Sequence, residues 1–391
     1  MKSPAWIPLC EEKELQSALH TTTRNTQLQI DTLYSVRGGQ LYRLVWQAIE
    51  KELPNVKNIY YSPSGLLHKI AFDALPAEQE NLLLSDRYNL HLVSSTREVV
   101  RLKKETSAVA VRDTATVYGG LYYDLLQSTM AATTKTYSAK PNEGNSRYID
   151  RFRKRGDELP DAGLRSGLSE WQYLPGTETE AAQITASLEN KRIPHRYYTE
   201  DKGNEESFKH LSGTPTGVIH LATHGFFLPD TENKVVGDIL RNLGGNREKP
   251  FENPLFRSGL ILSGANKQWL AKEYIMEEGV EDGILTAEEI SRLNFMKTGL
   301  VVLSACETGL GDMKNSEGVF GLQRAFKLAG VKSLVMSLWK VPDEATAELM
   351  TTFYNEWFSG ATKQNAFKTA QRKVREKYKS PYYWAAFVMM D

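Results

Sequence analysis

The chain has 391 residues, of which 41% are hydrophobic and 25% are charged, and these values are typical of a globular protein. Its 48 basic and 48 acidic residues cancel to a formal net charge of zero, so the sequence lacks the positive field typical of nucleic-acid-binding proteins. Apolar runs fall short of the ~18 residues that a membrane-spanning helix needs. We therefore expect neither direct nucleic-acid binding nor a membrane partner.

The N-terminal part of the chain is predicted to be a separate half. Its first 55 residues are predicted to be largely helical, because apolar residues such as Leu15 and Leu19 recur at helical spacing. Short strands are expected at residues 58–61 and 88–93. Since the length exceeds that of one ordinary core, we predict an N-terminal half over residues 1–113 and a second half over 114–391.

Two polar insertions are predicted in the second half, at about residues 124–170 and 229–254. The first lacks clear periodicity and contains a basic run at 151–155. Charge runs are usually solvated surface, which we expect here. The alternative is a protease-sensitive or partner-binding loop.

Strands and helices alternate through the second half. Thr177 with Glu180, and Thr286 with Glu289, have the spacing of capping boxes that start helices. Alternation of this kind predicts an α/β fold with a mostly parallel sheet. The elements expected are strands at 114–120, 196–199, 259–263 and 331–338, and helices near 205–211, 319–329, 349–357 and 366–374.

Two apolar runs each lead to a reactive side chain with glycine nearby. Residues 218–221 precede His224 and Gly225, and residues 300–303 precede Cys306. Such runs are typical of strands buried on both faces, and ligands bind beyond the carboxyl ends of these strands. We therefore predict that His224 and Cys306 meet across a cleft.

A histidine beside a cysteine favours nucleophilic catalysis. Free cysteine has a pKa of about 8.5, and a neighbouring imidazole can accept the thiol proton and later return it to a leaving amine. We predict Cys306 as nucleophile and His224 as base, with the backbone N–H groups of Gly225 and Cys306 as the oxyanion hole. Either residue alone is more often structural. His220, deeper in the strand, is predicted to be structural.

Cysteine and histidine usage bears on compartment and cofactors. Cys10 and Cys306 are the two cysteines and could form one disulfide, but a cysteine at a strand mouth with histidine available favours a free thiol. A reducing, cytoplasmic environment fits that interpretation. The seven histidines are scattered without metal-ligand spacing, so we predict neither a metal site nor a cofactor.

Taken together, the motifs over residues 58–391 resemble a CHAT domain, a bacterial member of the caspase, separase and legumain group of cysteine peptidases. The resemblance implies a caspase-like three-layer sandwich in which a degenerate half supports an active half, and a dyad of Cys306 and His224. The segments that carry it are residues 62–68, 72–75, 174–178, 220–225, 283–290, 302–311, 318–326, 337–346 and 382–387.

The resemblance also suggests a substrate pocket. In the wider group, the loop that corresponds to residues 339–343 lines the pocket for the residue before the scissile bond, so Trp339 and Asp343 are candidates, with Asp343 receiving Arg or Lys. The alternative is that Asp343 caps a helix that starts at Glu344. Ser304 is a third pocket candidate by the same resemblance, since legumain-like relatives have an acid at this position, two residues before the cysteine. A serine in place of the acid weakens the case for a basic preference.

By this resemblance the chain is expected to be a cysteine endopeptidase that cleaves specific protein partners. Activation by a partner or sensor protein in a bacterial antiviral defence or cell-death system is part of that expectation. The alternative is a catalytically idle caspase-like scaffold that acts as a protein-interaction module. A phosphate-binding enzyme fits poorly, because Gly309 and Gly311 lack the spacing and the Lys-Ser/Thr of a P-loop.

Overall fold

The computed structural model describes residues 4–23, 25–78, 82–104, 114–137, 170–227, 254–270, 279–304 and 317–391. The chain forms two compact units, one made of residues 1–109 with 335–391 and the other of residues 110–334. These units differ from the predicted halves in grouping residues 335–391 with the N-terminal residues. The division into a degenerate and an active half stays a prediction.

Up to residue 137, the described chain consists of short helices, helical turns and short strands. They are α1 (Glu12–Leu19), α2 (Thr26–Asp31), a π-helical turn (Thr32–Val36), α3 (Gly38–Val45), α4 (Gln47–Glu50), β1 (Asn58–Tyr61), two 3-10 turns (Gly65–Lys69 and Phe72–Ala74), α5 (Leu84–Arg87), β2 (Asn89–Leu92), α6 (Glu98–Lys104), β3 (Thr114–Leu121) and α7 (Gln127–Tyr137).

The remaining elements follow from residue 175 onward. They are α8 (Pro175–Asn190), β4 (His195–Glu200), α9 (Glu205–Lys209), β5 (Thr216–Leu221), β6 (His224–Phe227), a 3-10 turn (Pro254–Phe256), β7 (Ser258–Ile261), α10 (Ala265–Trp269), β8 (Ile284–Thr286), α11 (Ala287–Ser291), β9 (Leu300–Leu303), α12 (Glu317–Leu328), β10 (Ser333–Ser337), α13 (Asp343–Phe358), α14 (Lys363–Tyr378), α15 (Pro381–Trp384) and β11 (Phe387–Met390). Within the described ranges, no helix combines the length and the apolarity needed to cross a membrane.

In the first unit, strand β2 lies between β1 and β11, and both neighbours run parallel to it. The strand order continues from β11 to β10. Leu15 and Leu19 in α1, and Leu41 and Val45 in α3, are buried, as expected for helices that pack one apolar face inward. The predicted helical start of the chain is confirmed.

The second unit contains parallel strands in the order β9-β5-β3-β4 and an antiparallel sheet in the order β6-β7-β8. Strands β5 and β9 are in register, with Ile219 beside Val301 and Leu221 beside Leu303. These four side chains are buried, as a sheet covered on both faces requires. The predicted α/β caspase-like class with a mostly parallel sheet is confirmed.

Two local predictions in the second unit are wrong. Residues 127–137, expected to be irregular, form α7, whose Thr-rich sequence has weak helical signals although Met130 and Thr134 are buried one turn apart. Thr177 and Glu180 form no capping box, because α8 already begins at Pro175. The second capping box is confirmed at the start of α11. Residues 138–169 and 228–253, which make up most of the predicted insertions, lie outside the described residues.

Candidate active site

Two neighbouring strands of the second unit end side by side at the candidate site. The Ser304 amide, directly after β9, donates to the carbonyl of Leu221, the last residue of β5, at 2.9 Å. Cys306 lies outside the described residues, and its predicted contact with His224 stays a prediction.

His224 does not continue strand β5, because it opens the separate strand β6. Between them, the buried Thr223 hydroxyl donates to the Ile261 carbonyl, and His224 pairs with Ile261 across the antiparallel sheet. His220 and His224 are therefore on different strands, contrary to the sequence interpretation. The imidazole is therefore carried by the small β6-β7-β8 sheet and not by the parallel strand β5.

A backbone carbonyl orients the His224 ring. Nε2 lies 2.7 Å from the carbonyl oxygen of Gln172. Since a carbonyl oxygen only accepts hydrogen bonds, Nε2 must carry the proton. In the neutral ring this leaves Nδ1 as the basic nitrogen, which is the state a general base requires.

Two aromatic rings pack against the imidazole. The Tyr123 and Trp171 ring centroids are 5.0 and 4.9 Å from that of His224, and His224 is only 7% exposed. Burial raises the pKa of the Tyr123 phenol to about 12, although hydrogen bonds to Thr223 and to the His224 backbone act in the opposite direction. Tyr123 is therefore neutral at physiological pH, and both aromatic rings beside His224 are uncharged.

Beneath the strand ends lies a buried polar group formed by Glu180, His220 and Ser304. The Ser304 hydroxyl donates to Glu180 Oε2 at 2.8 Å, and His220 Nε2 lies 3.1 Å from Glu180 Oε1. All three residues are less than 5% exposed. The contacts join α8 to β5 and to the chain just before Cys306, which agrees with the structural role predicted for His220.

The other predicted site residues fall in different surroundings. Gly225 lies in β6 opposite Leu260, beside His224, and the oxyanion role of its amide and that of Cys306 stays a prediction. In the first unit, Trp339 is buried, with its indole N–H donating to the Tyr382 carbonyl at 2.9 Å.

Asp343 is exposed and is the first residue of α13, which Pro342 precedes as N-cap. The alternative that Asp343 caps a helix beginning at Glu344 is therefore wrong. The pocket roles proposed for Ser304, Trp339 and Asp343 stay predictions, and the Ser304 hydroxyl is engaged by Glu180.

An acidic cluster in the second unit has the ligand spacing of a cation site. Carboxylate oxygens of Glu205, Glu281 and Glu289 lie within 4.8 Å of one another. The Lys209 ammonium lies among them, at 2.6, 3.0 and 2.9 Å respectively. These acids raise the pKa of Lys209 against the opposing effect of burial. Lys209 thus supplies the positive charge at the centre of this cluster and ties α9 to α11.

Sequence reasoning missed Trp171, Gln172 and Asn266. Gln172 contacts His224 through its backbone carbonyl, and a backbone contact leaves no side-chain motif in the sequence. Trp171 follows a stretch without periodicity, so no structure was predicted around it. Asn266 lies in the short helix α10, which was not predicted. Its signal in the sequence was a hydrogen-bonding side chain three residues after the predicted 259–263 strand.

Comparison with known proteins identifies the family to which most of the chain is similar. Residues 36–391 match the CHAT domain. Human tetratricopeptide repeat protein 28 is 28% identical over 113 residues, which make up 28% of this chain and 4% of that protein. The mouse protein of the same name is 28% identical over 109 residues, or 27% of this chain and 4% of its own length. The chain thus spans a very small part of these curated relatives.

Proposed function

This chain belongs to the CHAT domain family, which is a caspase-like peptidase family, and from that premise we propose that it is a cysteine endopeptidase. Cys306 is the nucleophile and His224 the base. The observation that carries the proposal is the pairing of β5 with β9 up to their ends, with Ser304 bonded to Leu221. This pairing supports the proposal that Cys306, two residues after Ser304 in sequence, meets the oriented imidazole.

The proposed reaction uses the chain's own groups. His224 Nδ1 takes the thiol proton, and the Cys306 thiolate attacks the peptide carbonyl carbon. The amides of Gly225 and Cys306 stabilise the oxyanion. The imidazolium then protonates the leaving amine, and the resulting thioester is hydrolysed by water that His224 deprotonates. The Gln172 carbonyl, which accepts from Nε2, stabilises the imidazolium at each stage.

The substrate is proposed to be a protein partner cleaved at a specific site, with a regulatory partner or sensor controlling the enzyme. Ser304, Trp339 and Asp343 are proposed to line the pocket. A cytoplasmic bacterial defence or cell-death system is the proposed setting, and it rests on the family resemblance.

The test compares cleavage of candidate partner proteins by the wild type, Cys306→Ala and His224→Ala. Both variants should lose at least 100-fold in rate, since general-base catalysis alone contributes about 10²–10⁴-fold. His195→Ala provides a matched control, because His195 is half-buried in β4 and forms a contact to Glu189 elsewhere. Its rate should be unchanged.

Equal cleavage by the wild type and Cys306→Ala would refute the peptidase proposal. A partner that binds the wild type and Cys306→Ala equally and is cut by neither would instead support the idle-scaffold alternative.

A further inference from the structure

The segment that orients His224 is itself held by one side chain. Asn266 Oδ1 accepts from the Trp171 amide at 2.8 Å, and Asn266 Nδ2 donates to the Trp171 carbonyl at 3.0 Å. The asparagine therefore pairs with this residue's backbone as a neighbouring β-strand would. Asn266 is 1% exposed, so water does not compete for these bonds.

Asn266 is also bonded to Tyr123, which carries the second ring that packs against the imidazole. Its own amide donates to the Tyr123 carbonyl at 3.0 Å, and the Gly264 amide donates to the Tyr122 carbonyl at 3.0 Å. The two rings that pack against His224, those of Tyr123 and Trp171, thus belong to residues whose backbones are bonded to Asn266. Through its side chain and its backbone amide, one buried residue joins two segments of chain that are far apart in sequence.

We infer that Asn266 is a positioning residue, which holds the Gln172 carbonyl against His224 Nε2 and so keeps the proton of the neutral ring on Nε2, with Nδ1 as the basic nitrogen. This inference rests on the proposed function. Gln172 directly follows Trp171, so a displacement of the Trp171 backbone moves the carbonyl that His224 contacts. Only a side chain with both a donor and an acceptor at its end satisfies the Trp171 amide and carbonyl together.

The tests use Asn266→Asp and Asn266→Ser. Aspartate keeps the shape and the acceptor but its carboxylate opposes the Trp171 carbonyl, while serine is too short to reach both groups. All proteins carry Cys10→Ala, so that alkylation reports on Cys306 alone. Burial and then Glu14 and Glu11 raise the pKa of the Cys10 thiol, and its slow alkylation would otherwise add a second phase.

The first readout is the pH dependence of Cys306 alkylation by iodoacetamide. Loss of the Gln172 contact destabilises the imidazolium that accompanies the thiolate. The midpoint of the alkylation profile should therefore move upward by roughly one pH unit, which makes alkylation at neutral pH about tenfold slower. The second readout is the His224 Nε2–H proton resonance, identified by its loss in His224→Gln. It should be visible in the parent protein and absent from both Asn266 variants.

Asn204→Asp is the matched control. Asn204 is 5% exposed and caps α9 by accepting from the Ser207 amide, which aspartate also does. It should keep the parent profile and resonance. Both Asn266 variants keeping them as well would overturn the inference.

The two proposals fail separately. If His224→Gln leaves the alkylation profile of Cys306 unchanged, the dyad is wrong, and the inference on Asn266 is then decided by the Nε2–H resonance. If His224→Gln shifts the profile and the Asn266 variants do not, the dyad stands and the positioning role is wrong.

Discussion

Glu180 shows how one residue can differ from its sequence motif. Thr177-x-x-Glu180 and Thr286-x-x-Glu289 have the same spacing, yet only the second pair caps a helix. In the first, the Thr177 hydroxyl donates to the Leu174 carbonyl, and Glu180 lies one turn further into α8. Its carboxylate is buried and accepts from Ser304.

Replacing Glu180 by alanine should destabilise the second unit by about 3 kcal/mol. The change leaves the buried Ser304 hydroxyl without its acceptor and removes the carboxylate from His220. Urea unfolding followed by circular dichroism measures the loss. Glu189→Ala is the control, because Glu189 is on the same helix with an exposed carboxylate, and it should change stability by less than about 0.5 kcal/mol. Similar values for both variants would contradict the prediction.

At the scale of the elements, strand β3 and helix α8 pack together at Gly119 with no room for a side chain. A Cβ atom there would lie 2.4 Å from the Thr177 carbonyl oxygen and 2.6 Å from the Ala181 Cβ. Neither backbone nor a short side chain can yield at such distances. The glycine therefore sets how near the helix that carries Glu180 can lie to the sheet.

Gly119→Ala is expected to cost about 2 kcal/mol of unfolding free energy, because overpacking of this kind typically costs about 1–3 kcal/mol. Gly39→Ala is the matched control. Gly39 lies inside α3, and its added Cβ would meet the Arg43 side chain at 3.7 Å, so alanine should stabilise by about 0.5 kcal/mol. Thermal unfolding measures the change in melting temperature of each variant relative to the wild type. Equal melting temperatures for the two variants would contradict the prediction.

Elements with strong local signals could be predicted, and those fixed by distant partners could not. The apolar run 300–303 and the capping box at Thr286 were identified from neighbouring residues alone. The break between β5 and β6 depends on pairing of His224 with Ile261, which no local pattern reports. In the candidate site, His224 was found by its type and position, whereas Asn266 acts on backbone almost a hundred residues away.

At the scale of the whole molecule, a net charge of zero conceals a concentration of buried acids in the second unit. Asp282 lies beside the Lys209 cluster, and burial followed by the charge of Glu289 raises its pKa from 3.8 to about 7. The folded protein therefore favours the protonated carboxyl. The protonated Asp282 carboxyl therefore stabilises the folded protein. This stabilisation is complete below about pH 4 and is lost as the pH rises to about 7.

Asp282→Asn should therefore stabilise the protein increasingly as the pH rises. The Ile284 amide donates a hydrogen bond to Asp282 Oδ1, and the side-chain oxygen of asparagine can accept the same bond. The melting temperature of the variant should match that of the wild type near pH 4, exceed it progressively up to pH 7, and stay higher above. Asp343→Asn, at an exposed position, should show no such trend. A difference for Asp282→Asn that is constant with pH would disprove the assignment.

The grouping of residues 335–391 with residues 1–109 has a consequence for biosynthesis. The ribosome delivers residues 110–334 as one uninterrupted stretch, so that unit can complete its internal contacts while translation continues. The other unit has to wait for strand β11, which pairs with β2 across almost three hundred residues. Strand β2 thus remains without one of its two neighbours until residues 387–390 have been synthesised.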